Sequence, residues 1–138
     1  MAAYEVESIS VDGRTTALGS AGTFTLVVDR PVEAGGGGQG FNGGQLLNLA
    51  VAGCISNDLF REAARAGIKL RRVRVKARSD YVGEPAVSTP VQYDVELQGD
   101  AADEALLELV ERVDKIAEIP NSLRRGTEVR LASIRMTG

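Results

Sequence analysis

The chain has 138 residues, which suits one domain with a hydrophobic core. Apolar residues make up 43% and charged residues 25%, and the net charge of -3 gives no general attraction to nucleic acid or anionic membranes. There is no histidine and only one cysteine, Cys54, so histidine-dependent catalysis, an internal disulfide and zinc sites built on histidine or several cysteines are excluded. We therefore expect no cofactor and no metal. The N-terminus has no secretory signal and the chain no long apolar run, which favours a cytoplasmic protein outside the membrane.

Residues 1–30 predict a three-stranded meander that opens a single domain over 1–138. Residues 4–11 read as a strand, Asp12-Gly13 is a strong two-residue hairpin turn, and residues 14–19 return. After a further turn, Phe24, Leu26 and Val28 alternate on one face of a third strand.

Residues 31–44 form a glycine-rich loop. Seven of the ten residues from Gly35 to Gly44 are glycine, a composition that predicts a mobile connection. A phosphate-binding P-loop would end in Gly-Lys-Ser/Thr, whereas this segment ends in Gly-Gly-Gln-Leu.

Residues 45–138 predict the order α-β-β-α-β. Apolar residues at helical spacing indicate a helix over 45–66, and its first half is apolar nearly all round. A second helix follows Asp100, a candidate cap, and stops at Pro120. Residues 127–135 read as a closing strand. The whole is an α+β fold with an antiparallel sheet, and a homodimer is the simplest cover for so apolar a first helix.

The two strands between the helices carry opposite charges on one face. Residues 69–78 present alternating basic side chains, and residues 91–98 present acidic and amide side chains in the same alternation. If the strands pair antiparallel, the basic face is neutralised by cross-strand ion pairs of roughly 0.2–1 kcal/mol each. We therefore expect a solvated face with no nucleic-acid partner.

The segment GGQLLNLAVAGCISNDLFREAARAGI resembles the central helix of the OsmC/Ohr family of thiol-dependent hydroperoxide reductases. The family helix typically reads Asn-Pro-Glu-Glu-Leu-Leu and later Ala-Gly-Cys. Here Asn42 is kept, Gly43-Gly44 replaces Pro-Glu, and Ala52-Gly53-Cys54 closes the motif. The later segment IAEIPNSLRRG resembles a shortened form of the family's second motif, Ala-Glu-x-x-Cys-Pro-x-Ser-x-x-Leu. The resemblance implies an intertwined α+β homodimer with two sites at the subunit interface.

The resemblance assigns Cys54 to the peroxidatic position, where a thiolate attacks a peroxide oxygen. Three supporting positions differ from the family pattern, because the helix-start glutamate is Gly44, the resolving cysteine is Ile119 and the activating arginine is Val11. Arg14, just past the Asp12-Gly13 turn, is a candidate replacement cation, as are Arg61, Arg124 and Arg125.

Two functions remain open. In the first, Cys54 is a one-cysteine reductase whose sulfenic acid an external thiol resolves. In the second, Cys54 is an inert core thiol, and the dimer binds a small apolar or anionic ligand in an interface pocket near the second motif. The residues of that pocket would be Ile119, Pro120, Asn121 and Ser122.

Overall fold

The computed structural model describes residues 4–138 and confirms the α+β fold. The chain divides into two compact units, Met1–Leu49 and Ala50–Gly138, and the first helix begins in one and ends in the other. No helix in residues 4–138 has both the length and the apolarity that crossing a membrane requires.

The first unit contains the predicted antiparallel meander. Its strands are β1 (Glu7–Ser10), β2 (Ala17–Ala21) and β3 (Phe24–Val28), in the spatial order β1-β2-β3. The second strand begins three residues later than the expected residue 14, because the turn is longer than Asp12-Gly13 alone. The Val11 amide donates to the Thr16 carbonyl at 2.8 Å, and the Arg14 amide donates to the Val11 carbonyl at 2.9 Å.

The glycine-rich loop is packed on β3, which corrects the expectation of a mobile connection. It opens with a short 3-10 helix, Val32–Ala34, and ends where Phe41 makes an isolated parallel bridge to Val28. A Cβ on Gly36 would lie 2.2 Å from the Arg30 carbonyl oxygen. A Cβ on Gly40 would lie 2.2 Å from the Val27 carbonyl oxygen. Gly36 and Gly40 therefore allow the loop backbone to lie close to the backbone of Arg30 and Val27, where a side chain would not fit.

The carboxylate of Asp29, which is 4% exposed, holds this loop in place. It accepts hydrogen bonds from two hydroxyls and three backbone amides, at 2.7–3.3 Å: Thr15, Thr16, Arg30, Gly37 and Gln39. The Thr16 hydrogen bond is the largest cause that keeps the pKa of Asp29 well below its usual range, and the amide donors act in the same direction against the opposing effect of burial. The carboxylate is therefore charged at any ordinary pH.

The second unit is built around α1 (Gly43–Arg65) and the hairpin of β4 (Leu70–Arg78) with β7 (Gln92–Gly99). Two more helices follow, α2 (Asp103–Ile116) and α3 (Glu118–Arg124). Ile55 and Leu59 of α1 are fully buried, as is Val113 of α2, and Leu109 is 1% exposed. The inner faces of both hairpin strands pack on this cluster, so the core lies between the sheet and the two long helices.

The register of the hairpin confirms the expected charge pairing. Arg74 lies opposite Glu96 with a 3.3 Å ion pair, and Arg78 pairs diagonally with Asp94. Between β4 and β7 the chain makes a small hairpin of β5 (Tyr81–Val82) and β6 (Val87–Ser88). The paired outer face supports the expectation that this face is solvated.

Two boundary predictions around α2 are wrong. Ala102, not Asp100, is the N-cap, and Asp100 instead pairs with Arg71 at 3.3 Å. Pro120 does not stop a helix but lies in the first turn of α3, where its missing amide hydrogen costs no helical hydrogen bond. The actual break is Ala117, which has extended backbone angles.

The strand predicted over 127–135 is absent, because residues 127–138 form no strand in the structure. The apolar side chains of this segment are open to solvent, with Val129 94%, Leu131 79% and Met136 86% exposed. A strand is stable only when its backbone pairs with a neighbour, and no strand within residues 4–138 pairs with this segment.

Substituting Asp29 with Asn should release the glycine-rich loop, since the amide cannot replace a charged acceptor of five hydrogen bonds. We expect hydrogen exchange at the Gly37 and Gln39 amides to accelerate by about tenfold or more. Glu33→Gln is the matched control, because Glu33 is an exposed acid of the same loop. Equal exchange in the two variants would contradict the role of Asp29.

Candidate functional site

The start of α1 is fixed by a reciprocal capping interaction. The backbone amide of Gln45 donates to Oδ1 of Asn42 at 2.9 Å, and the backbone amide of Asn42 donates to Oε1 of Gln45 at 3.0 Å. This is the capping-box arrangement, with asparagine and glutamine in the two roles. It places Gly43 and Gly44 in the first helical turn, and Gly44 is the position that the resemblance assigns to the family's glutamate.

Cys54 lies in the middle of α1 and is neither buried nor fully exposed. Its side chain packs against the edge of the core cluster formed by Ile55, Leu59 and their neighbours. Cys54 is therefore a partly buried helix residue at the boundary of the core. It makes no disulfide.

The second motif forms α3. Pro120 is buried, and Ile119, which the resemblance assigns to the resolving position, is 36% exposed. Asn121 donates to the Lys115 carbonyl at 2.8 Å, and the Ser122 hydroxyl donates to the Glu118 carbonyl at 2.7 Å. Both polar residues thus serve to join α3 to α2 and to shape its own turn.

A network of three side chains on β7, α2 and α3 positions the last helix. The Tyr93 hydroxyl donates to Oδ1 of Asp114, and the Arg124 guanidinium donates to the same oxygen at 2.7 Å and to the Asp114 carbonyl at 2.8 Å. The Tyr93 hydrogen bond is the main cause that lowers the pKa of Asp114, while partial burial acts against it. Partial burial and the hydrogen bond to Asp114 raise the pKa of Tyr93 far above its usual range.

A cleft of about 750 Å³ lies beside this network between β7 and α2. Its lining is about equally polar and apolar and includes Tyr93, Asp114, Val95 and Val110. Neither Cys54 nor residues 119–122 line it. The pocket expected near the second motif is therefore not this cleft.

The candidate cations differ in the ion pairs that they make. Arg61 pairs with Asp58 at 3.3 Å and with Glu62 at 3.0 Å, and Arg124 is held by Asp114. Arg14 is exposed, and within residues 4–138 its side chain makes no ion pair. It belongs to the first unit together with Val11 and Gly44, whereas Cys54 belongs to the second. The pairing of Arg14 with Cys54 stays a prediction.

The sequence analysis did not identify the buried acids of α1. Asp58 is 6% exposed and Glu62 5%. Val51, Ile55, Asp58 and Glu62 follow the 3–4 spacing of the inward helical stripe. The position of the two acids in that stripe could have predicted that they are buried. Among residues 4–138 no group of three or more Cys, Asp or Glu side chains could hold a metal ion.

The sequence matches the model of the OsmC-like protein family over residues 36–132. The match covers more than half of the chain, and the chain therefore belongs to the OsmC-like protein family. Among curated proteins, none matches the sequence.

Solved structures of low sequence identity share the fold. An OsmC-like protein from Mycoplasma pneumoniae has a TM-score of 0.77 at 15% identity, covering 91% of this chain and 89% of that one. The organic hydroperoxide resistance protein OhrB of Bacillus subtilis has a TM-score of 0.65 at 19% identity, covering 90% and 92%. An organic hydroperoxide resistance protein OsmC from Legionella pneumophila has a TM-score of 0.61 at 20% identity, covering 90% of both chains.

Asp114→Asn should destabilise the protein by roughly 1 kcal/mol near neutral pH, in the lower range for a charged hydrogen bond because the carboxylate is partly exposed. The pKa of Asp114 is lowered in the folded state, so its stabilisation is complete above the unfolded value of about 4 and is lost as the pH falls through the folded value. Urea denaturation of the two proteins near neutral pH and at about pH 3 measures this difference, which should shrink in acid. Glu111→Gln on the same helix is the control and should show no such pH dependence. If the loss of unfolding free energy in Asp114→Asn were the same at both pH values, the charged form of Asp114 would not be the source of the stabilisation.

Proposed function

We propose that this OsmC-like protein reduces organic hydroperoxides with Cys54 as its single reactive cysteine and an external thiol as its reductant. The observation that supports the proposal is that Cys54 is partly exposed in the middle of α1 and closes the segment Ala52-Gly53-Cys54, which resembles the family's Ala-Gly-Cys motif. The names of the Bacillus and Legionella structures support the substrate class by likeness of fold. A cytoplasmic location would supply the reduced thiols that the cycle needs.

The reaction balances without a second cysteine. The Cys54 thiolate attacks one peroxide oxygen, the O–O bond breaks, and the alkoxide leaves and takes up a proton to become an alcohol. Cys54 is then a sulfenic acid. An external thiol condenses with it to release water and form a mixed disulfide, and a second thiol returns Cys54 to the reduced state as the reductant becomes a disulfide.

Arg14 is our candidate for the cation that stabilises the thiolate. Two of the other candidates, Arg61 and Arg124, already have carboxylate partners, whereas Arg125 at the C-cap of α3 stays an alternative to Arg14. Arg14 lies in a surface turn without an ion-pair partner among the described residues and is one of the cations that a substrate site could recruit.

A second candidate function is ligand binding without turnover. It is favoured by the absence of the family's acid at Gly44 and by the apolar, 36% exposed Ile119 at the resolving position. Such a site would hold a small apolar or anionic molecule, and Cys54 would then be a packing residue.

Native protein treated briefly with tert-butyl hydroperoxide and dimedone should gain one dimedone adduct, on Cys54, and dihydrolipoamide added in place of dimedone should restore the thiol. Intact mass spectrometry measures both, and Cys54→Ser is the control that should gain nothing. A thiol that stays reduced under excess peroxide until the protein unfolds would contradict the peroxidase proposal. The same sample, examined by native mass spectrometry for a bound small molecule, would then test the ligand-binding function.

The working protein is proposed to be a homodimer. The exposed C-terminal segment, residues 127–138, carries Val129 and Leu131 two residues apart. Their side chains would lie on one face if the segment became a strand, and a second copy is the partner that would cover them. The meander is also open, with Phe24 80% and Ile9 58% exposed.

Val129→Asp with Leu131→Asp should weaken dimerisation at least tenfold, because burying the two charges is unfavourable. Light scattering after size-exclusion chromatography over a concentration series measures the mass of the assembly. The matched control places two acidic side chains on the other face of such a strand, Arg130→Asp with Ala132→Asp, and should remain dimeric. A monomeric parent protein, or equal behaviour of both variants, would argue against a dimer held by this segment.

A further inference from the structure

One edge of β7 has no neighbouring strand. Within residues 4–138, β7 pairs with β4 alone, and these two strands form a sheet of their own. In an antiparallel pair, alternate residues of each strand direct their backbone amide and carbonyl groups away from the partner. The open edge of β7 therefore carries a row of backbone donors and acceptors with which another extended chain could pair.

The cleft between β7 and α2 follows this open edge. Its lining includes five consecutive residues, 91–95, of which Gln92–Val95 belong to β7. Successive side chains of a strand point to opposite faces, so a cavity that touches each residue in turn runs along the edge of the strand. The other wall of the cleft is α2, and the Tyr93–Asp114 hydrogen bond joins the two walls. The cleft therefore has one backbone wall and one side-chain wall, which suits an extended peptide.

The apolar part of the cleft is incompletely covered in the single chain. Val91, Val95 and Val110 line it, and all three are only partly buried. An occupant with apolar side chains two residues apart would cover them while its backbone pairs with β7, because residues two apart in a strand share a face.

The C-terminal segment, residues 127–138, has the properties of such an occupant. It forms no strand in the structure, and Val129 and Leu131 are 94% and 79% exposed. Its strand-like alternation extends over residues 127–135, which is close to the length of β7, a strand of 8 residues. The unpaired segment and the unpaired edge of β7 therefore lack the same kind of partner.

The start of the C-terminal segment is fixed on its own chain, but the segment does not enter its own cleft. The backbone amide and the hydroxyl of Thr127 both donate to the Ser122 carbonyl, at 3.1 and 3.0 Å. Beyond this point the segment has no strand partner among the described residues. A second copy offers the same open edge, and two copies related by a two-fold axis can exchange such segments reciprocally.

We propose that the C-terminal segment of one copy adds to the open edge of β7 in a second copy, where it fills the cleft and forms a third strand of the β4–β7 sheet. Val129 and Leu131 then cover the valine side chains of the cleft. This inference rests on the homodimer proposed above, and it assigns the surface that receives the segment.

The first test is cross-linking between two distinguishable copies, both with Cys54→Ser so that only introduced cysteines react. One copy carries Arg130→Cys, and the other, which has a mass tag, carries Gln92→Cys at the cleft. A short bismaleimide should join them about tenfold more than when the tagged copy carries Arg65→Cys instead, because residues held at one interface have a high effective concentration. Arg65 is the control because it is an exposed helix residue that does not line the cleft. Mass spectrometry of the linked peptides measures both yields.

The second test removes single backbone donors from the segment. Amides at odd and even positions of a strand face opposite edges, so either Arg130 or Ser133 donates to β7. Arg130→Pro or Ser133→Pro should therefore weaken dimerisation by about tenfold, while Arg130→Ala and Ser133→Ala should change it by less than about twofold. Both residues lie outside the helices and strands of the single chain, so the proline variants keep its fold. Light scattering over a concentration series measures the dissociation.

The outcomes separate this inference from the homodimer itself. A stable dimer that gives equal cross-linking at Gln92 and Arg65, or that tolerates both prolines, would leave the homodimer standing and overturn the assignment of the cleft. A chain with Arg130→Cys and Gln92→Cys that links only within itself would show that the segment fills its own cleft. A protein that is monomeric at every concentration would overturn both proposals.

Discussion

The second unit depends on the burial of the C-terminal half of α1. Ile55 and Leu59 are fully buried against Leu109 and Val113 of α2 and against the inner face of the β4–β7 hairpin. Removal of such side chains from water is the dominant favourable term in folding, at about 1.5–3 kcal/mol each. The cluster fixes both the position and the rotation of α1, and through that rotation it fixes which side Cys54 faces.

The same helix combines packing and charge in an unusual way. Its inward stripe starts with Val51 and Ile55 and continues with the acids Asp58 and Glu62, which Arg61 and Arg65 pair. Buried ion pairs of this kind add little net stability, because the cost of desolvation offsets the attraction between the charges.

The loop that precedes α1 is held by hydrogen bonds and not by apolar packing. Asp29 accepts hydrogen bonds from hydroxyl and amide groups on both sides of the loop, and Gly40 allows the loop backbone to lie directly on that of β3. The capping pair Asn42–Gln45 then starts the helix. A glycine-rich segment can thus be ordered where one buried carboxylate satisfies several of its amides.

The chain belongs to the OsmC-like protein family, and the resemblance of its motifs assigns Cys54 to the peroxidatic position and Ile119 to the resolving one. On that assignment the chain has no second cysteine to capture a sulfenic acid and no side chain at the helix-start position, Gly44. The fold by itself does not decide what such a site does, since one fold carries many sites. Within residues 4–138 the structure offers a partly exposed thiol on a helix and an arginine, Arg14, that makes no ion pair with the other described residues.

Local pattern in the sequence determined the α+β class, the meander and the β4–β7 pairing with its opposed charges. These follow from period-2 and period-3.6 alternation, which depends on neighbours in the chain. Tertiary structure alone decided that the glycine-rich loop is ordered, that Asp58 and Glu62 are buried as ion pairs, and that Tyr93, Asp114 and Arg124 meet. These contacts join side chains that come together from separate elements, and no spacing rule along the chain specifies them. Residues 127–135 show the same limit, because their alternation describes a strand but no strand within residues 4–138 pairs with it.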